Sequence, residues 1–198
     1  MINVPKYNKE NRKSGSSYER LPKGNYVCKI LNVEEVTYKS GKRGVKISFD
    51  IAEGDYKDFY MTQWNENTKE DKKWSFDATY YITIPYDGCE SYIIDGWDTF
   101  WANVEDSNNG FIWDGNEQTI KGKVFGGCFR NEQSQNEQTG QIYNHTRLAG
   151  TRIAQDIRDG KVTWSPNDKL IEVAPAPAVD DNGFISVPEV AEMDLPFK

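Results

Sequence analysis

Between Val45 and Ile51 the side chains alternate without a fault, with Val45, Ile47, Phe49 and Ile51 on one side and Lys46, Ser48 and Asp50 on the other. A period of two marks a strand with one face in a core and the other in water. Such a strand cannot stand alone, and its neighbours in the chain supply partners. The run from Tyr26 to Thr37 is rich in Val, Ile and Leu and predicts a first strand. Ser40-Gly41-Lys42-Arg43-Gly44 between the two predicts a turn with two positive charges on it. A third strand is expected over Lys57–Trp64, after the Gly54-Asp55 turn, and Trp74–Pro85 is mixed aromatic and β-branched.

The spacing then changes. Ile93, Trp97, Phe100, Trp101 and Val104 fall three to four apart, which predicts an amphipathic helix over 90–104 and assigns its rings to the core. Gly96 within it costs about 1 kcal/mol relative to Ala and is a place for a break. Thr119–Arg130 and Gln141–Leu148 predict two more strands, with 131–140 as a long polar hairpin connection. Thr151 to Gly160 predicts a short helix with Thr151 as N-cap and Gly160 as stop.

Residues 1–20 are polar and aperiodic and are expected to be a mobile arm. The Ala-Pro repeats and acids of 165–198 are expected to be a disordered tail, leaving 21–164 as one domain. Three strands, a helical segment and two strands make a mainly β chain. Its order is that of a five-stranded OB-fold-like barrel, whose ligand face lies around strands two and three and the loops joining strands one–two and four–five.

Charge is unevenly spread. The net charge of −7 divides into +2 for residues 1–19, −4 for 20–170 and −5 for 171–198. A uniformly basic nucleic-acid binder is excluded by these totals, so any anion site must come from local clustering. Aromatics make up 13% of the chain against 37% hydrophobic overall, so rings carry much of the apolar mass. Rings can fill a core or act as platforms for bases and sugars, and composition leaves both open. Cys28, Cys89 and Cys128 are odd in number and form no CxxC pair, which predicts free thiols in a reducing cytoplasm. Met1-Ile2-Asn3-Val4-Pro5-Lys6 has no apolar leader character, and no segment reaches the roughly 18 apolar residues of a membrane span.

By alternation, Lys121, Lys123, Phe125 and Phe129 would share one strand face, as would Tyr143, His145 and Arg147 on the next. Cations interleaved with rings suit a single nucleic-acid strand, since the cations meet phosphates and each stacked base contributes roughly 1–3 kcal/mol. The same alternation also describes any half-solvated sheet face. The expected phosphate contacts are Lys42, Arg43, Lys46, Lys121, Lys123 and Arg147, and the expected stacking rings are Trp64, Trp74, Phe125, Phe129 and Tyr143. A single histidine rules out a His pair, and Cys28, Cys128 and His145 lack the close spacing of zinc ligands. No phosphate-cradling Gly-rich loop, nucleophile elbow or HExxH is present, so neither catalysis nor a cofactor or metal is expected.

Leu21-Pro22-Lys23-Gly24-Asn25-Tyr26, Ser40-Gly41-Lys42, Phe49-Asp50-Ile51-Ala52-Glu53-Gly54 and Gly122-Lys123-Val124-Phe125-Gly126 together resemble a family of single-stranded-DNA-binding proteins from phages of Gram-positive bacteria. The resemblance extends loosely over about residues 21–160. It implies an OB-type domain that coats DNA during phage replication or recombination in the host cytoplasm. It also implies an acidic tail whose tip docks replication or recombination proteins, here Asp194, Leu195, Pro196 and Phe197. In bacterial proteins of that function the Phe is terminal and its α-carboxylate takes part in docking, whereas here Lys198 follows. Homo-oligomers are left open. Two other readings remain at this level: an aromatic-rich β-sandwich that binds carbohydrate or builds a phage particle, and an adaptor whose tail is its function. Salt separates the first from DNA binding, because phosphate neutralisation weakens steeply with ionic strength.

Overall fold

A computed structural model of the chain describes residues 19–171. The first eighteen residues of the expected arm and everything from 172 on lie outside the described residues, and with them the expected docking residues Asp194, Leu195, Pro196 and Phe197. The fold is mainly β. Strands β1 (Asn25–Thr37), β2 (Arg43–Ile51), β3 (Thr79–Thr83), β4 (Val124–Gln135) and β5 (Ile142–Arg152) form one antiparallel sheet in the order β3-β2-β1-β4-β5. Helix α1 (Phe59–Glu66) and a 3-10 turn (Phe76–Ala78) lie between β2 and β3. Helices α2 (Ser91–Ser107) and α3 (Glu117–Ile120) lie between β3 and β4, and α4 (Ala154–Arg158) follows β5. Among the described residues no helix is long and apolar enough to cross a membrane.

The faultless alternation of β2 is realised as expected, with Val45, Ile47, Phe49 and Ile51 buried and Lys46 and Ser48 half-exposed. In β1, Cys28 and Ile30 point inward and so does Val33, which strict alternation forbids. A bulge between Ile30 and Asn32 absorbs the extra residue. The core is a set of rings meeting edge to face: Phe49 lies 5.8 Å from Phe125, 5.9 Å from Phe129 and 6.3 Å from Tyr60. Helix α2 adds Ile93, Phe100, Trp101 and Val104 to it and runs through Gly96 without a break.

Over Lys57–Trp64, expected as a strand, the chain instead turns at Lys57-Asp58 and enters α1 at Phe59. The cause is Asp50, the one buried polar side chain of β2's otherwise solvent-facing row. Its carboxylate accepts N–H bonds from Ile51 and Tyr60 through Oδ1 (2.8 and 2.9 Å) and from Met61 through Oδ2 (2.9 Å). Two of these are orphan donors of the first turn of α1, so the helix is capped from a strand rather than from its own flank. Burial pushes the Asp50 carboxyl above its ordinary value, against the pull of the three N–H groups. The third strand is β3, five residues from within the mixed stretch.

The expected strand over 119–130 is divided. Glu117–Ile120 is helical, Gly122 turns at φ +82°, and the strand begins only at Val124. The first half of polar 131–140 is paired: β4 reaches Gln135 and β5 starts at Ile142. Thr151 sits in β5 opposite Gly127, and α4 starts after Ile153, while Gly160 does end it at φ +66°. Gly126 allows α4 to seat on β4, since a Cβ there would lie 2.6 Å from Ile157 Cδ1 and 2.9 Å from the Arg152 carbonyl. Beyond Ser165 the chain lies along β4 as far as Ile171: Gln133 N donates to Lys169 O, Lys169 N donates to Asn131 O, and Asp168 meets Lys23 at 2.9 Å.

β3 and β5, the two edges, exchange no backbone ladder, so the sheet is not closed into a barrel. Side chains bring the 3-10 turn before β3 against β5, with His145 Nδ1 and Asp77 Oδ1 2.9 Å apart and Arg147 over the Phe76 ring at 3.6 Å.

Candidate nucleic-acid interface

The expected cations separate into two kinds. Antiparallel register places Glu34 opposite Lys46 across β1 and β2, and the two form an ion pair. Arg43 donates to both carboxylate oxygens of Glu35, with Nη2 to Oε2 at 2.9 Å. The Arg43 hydrogen bond holds the Glu35 carboxyl below its usual range, and Glu34 raises the Lys46 ammonium. Lys46 and Arg43 therefore already have anionic partners.

Lys42, Lys121, Lys123 and Arg147 have no carboxylate within 4.0 Å among the described residues. Three of these four lie over rings instead: Lys42 over Tyr86 at 4.9 Å, Lys123 over Phe111 at 4.7 Å and Arg147 over Phe76 at 3.6 Å. Lys72 covers Trp64 at 4.9 Å in the same way. A ring fixes a cation without neutralising it, and leaves N–H donors for an incoming phosphate. Tyr86 raises the Lys42 ammonium through a side-chain hydrogen bond, so its charge persists at all ordinary pH. Lys121 is exposed at the end of α3, outside the sheet.

The expected rings also divide. Phe125 and Phe129 are 0% exposed and packed on Phe49, so neither offers a face to a base. Their presumed alignment with Lys121 and Lys123 fails because Gly122 interrupts the strand and parity does not carry across a turn. Trp64 and Trp74 are half-buried and tilted at 47° with centroids 5.8 Å apart, and Trp74 Nε1 donates to the Ala78 carbonyl. Tyr143 is exposed on β5.

Five exposed rings were not among the expected ones: Phe76, Tyr81, Tyr86, Tyr92 and Trp164. Tyr81 lies opposite Lys46, so Glu34, Lys46 and Tyr81 form one row across three strands. The pairing of β3 with β2 was the missing signal, and the displaced third strand concealed it. On the same sheet face Tyr38 lies across Gly44, where a Cβ would collide with its ring. Ring-backed cations thus stand at both ends of β3, Lys42 on Tyr86 beyond Thr83 and Arg147 on Phe76 before Thr79. Five residues of strand, about 17 Å, separate them. His145 is held from both sides, by Asp77 at Nδ1 and by Ser134 Oγ at Nε2 (2.9 Å), which fixes the β5 side of this track.

A strip of this kind can hold a flexible polyanion with exposed flat groups. No protein-family model matches the chain, and no curated protein matches it either.

Proposed function

We propose that this protein binds single-stranded DNA without catalysis and with little dependence on sequence, along the β2–β3 side of its sheet. The observation that carries the reading is the pair of ring-backed cations, Lys42 on Tyr86 and Arg147 on Phe76, neither with a carboxylate within 4.0 Å among the described residues, at opposite ends of β3 with exposed Tyr81 on the strand between them. Phosphates would meet the cations and unpaired bases would stack on the rings. The strand order β3-β2-β1-β4-β5 supports an OB-type arrangement opened between its third and fifth strands, with the ligand on the face such folds use. Phage replication or recombination in a host cytoplasm, and partner docking through Asp194–Phe197, extend the proposal on the resemblance alone.

Quenching of intrinsic fluorescence by a 30-nucleotide oligo-dT, titrated at two salt concentrations with duplex DNA as control, tests it. Saturable quenching by dT30 and none by duplex is expected. Three to four phosphate contacts give a log–log salt slope of about −2 to −3. A ligand response indifferent to salt, or no gel shift with dT30, would remove the reading in favour of sugar binding or a scaffold role.

A further inference from the structure

Beside the Phe76 end of the track, α1 and residues 73–75 enclose a pocket of about 190 Å³ lined by Tyr60, Gln63, Trp64, Asn67, Lys73 and Ser75. Tyr60 is buried, and its hydroxyl has no hydrogen-bond partner among the described residues. A buried donor left unmade is costly, so it points to a partner that arrives with a ligand. Burial holds this phenol well above its ordinary value, so it stays a neutral donor. The other polar groups have spare capacity of defined kind. Gln63 uses Nε2 on the Glu19 carbonyl, which leaves Oε1 to accept. Asn67 uses Oδ1 on Lys69 N, which leaves Nδ2 to donate. Ser75 Oγ accepts from Asp77 N and keeps its own proton to donate.

We infer that this pocket receives one thymine base of the bound strand, so that binding along the track is sequence-tolerant except at this position. The inference rests on the single-stranded-DNA reading and adds a specificity to it. Thymine presents two carbonyl acceptors flanking one N–H donor. The pocket presents hydroxyl and amide donors together with the Gln63 acceptor. Its volume exceeds the roughly 150 Å³ that holds a benzene ring, which is room for one six-membered ring. Trp64 supplies a flat wall, and Lys73, with no carboxylate in ion-pair range among the described residues, stands at the rim for the attached phosphate. Ser75, in the pocket lining, immediately precedes Phe76 in the chain, which puts the pocket next to the Arg147–Phe76 pair.

Tyr60→Phe tests this in the full chain, with dT30, dC30 and dA30 as probes and thermal unfolding alongside. Removing an unpartnered buried hydroxyl should leave the midpoint unchanged or raise it. Binding of dT30 should weaken three- to ten-fold, and the preference for dT30 over dC30 and dA30 should shrink. Self-stacking of oligo-dA is the same for both proteins and cancels in that ratio. If Tyr60→Phe and the parent bind dT30 equally well, the pocket takes no base while DNA binding stands. An equal loss on all three probes overturns the thymine assignment. If neither protein binds dT30, the DNA reading and this inference fall together.

Discussion

Asp50 shows how one side chain turns a local preference around. Its three accepted N–H bonds fix the start of α1, and no residue of the helix's own flank replaces them: Asp58, at the N-cap, sits at φ 57° and caps nothing with its side chain. Asp50→Asn keeps the shape but points an NH₂ group at Met61 N–H or at the pair bonded to Oδ1. A loss of about 1–3 kcal/mol on urea unfolding is expected. The pH dependence has a definite sign. Because burial raises the folded pKa, the group's contribution is fully present below its unfolded value, about 3.9, and is lost as pH rises through the folded value. The stability difference between parent and Asp50→Asn should therefore narrow from pH 3 to pH 7; a difference that widens with pH would mean that the N–H bonds outweigh burial. Among the cations, Arg147→Ala should weaken dT30 binding and flatten the salt slope by about 0.7. Glu35→Gln should act oppositely, tightening binding by releasing Arg43 from its carboxylate, and unchanged binding would place Arg43 off the path of the DNA.

At the level of elements, what could be read locally is what local forces decide. β2 and α2 were legible because their apolar periods match the faces they bury, and β1 because its run is rich in Val, Ile and Leu. α1 was not, since its cap comes from a strand ten residues earlier in the chain. Nor was the polar half of the β4–β5 hairpin, where ladder bonds rather than an apolar face hold Asn131–Gln135 to Ile142–Thr146. The site followed the same division. Lys42 was visible in its Gly-bearing turn, whereas Tyr81 became visible only once β3 was paired with β2. Phe125 and Phe129 were placed on the wrong face because Gly122 separates them from the lysines whose parity they seemed to share. The seat of α4 also depends on a long-range fit. In Gly126→Ala the new Cβ would press on the backbone carbonyls of Arg152 and Ile153, which cannot rotate away as the tip of Ile157 can. A cost of about 1–3 kcal/mol is expected, seen as a midpoint several degrees lower in calorimetry. An unchanged midpoint would show that α4 is not held where its contacts put it.

For the molecule as a whole, the contacts between β5 and the turn before β3 are made by side chains. Edge strands β3 and β5 lack backbone pairing to each other, so side chains form the seam between β5 and the turn before β3. Asp77 to His145 is one crossing, continued by Ser134 on the far ring nitrogen, and Asn103 Nδ2 donating to Thr151 Oγ1 at 3.0 Å ties α2 to the other end of β5. Burial raises the Asp77 carboxyl, and the imidazole opposes that rise. His145→Ala should therefore leave a partly buried carboxylate without its partner and cost about 1–3 kcal/mol. Asp77→Asn keeps an oxygen that can accept from a neutral imidazole, so it should cost less. The two variants separate stability from function because Phe76 adjoins Asp77 on the turn, while Arg147 follows His145 on β5. If the seam positions the Arg147–Phe76 pair, His145→Ala should weaken dT30 binding by more than Asp77→Asn at a temperature where both remain folded. Equal affinities would mean that each half of the pair is placed by its own strand, and that the seam serves the fold alone.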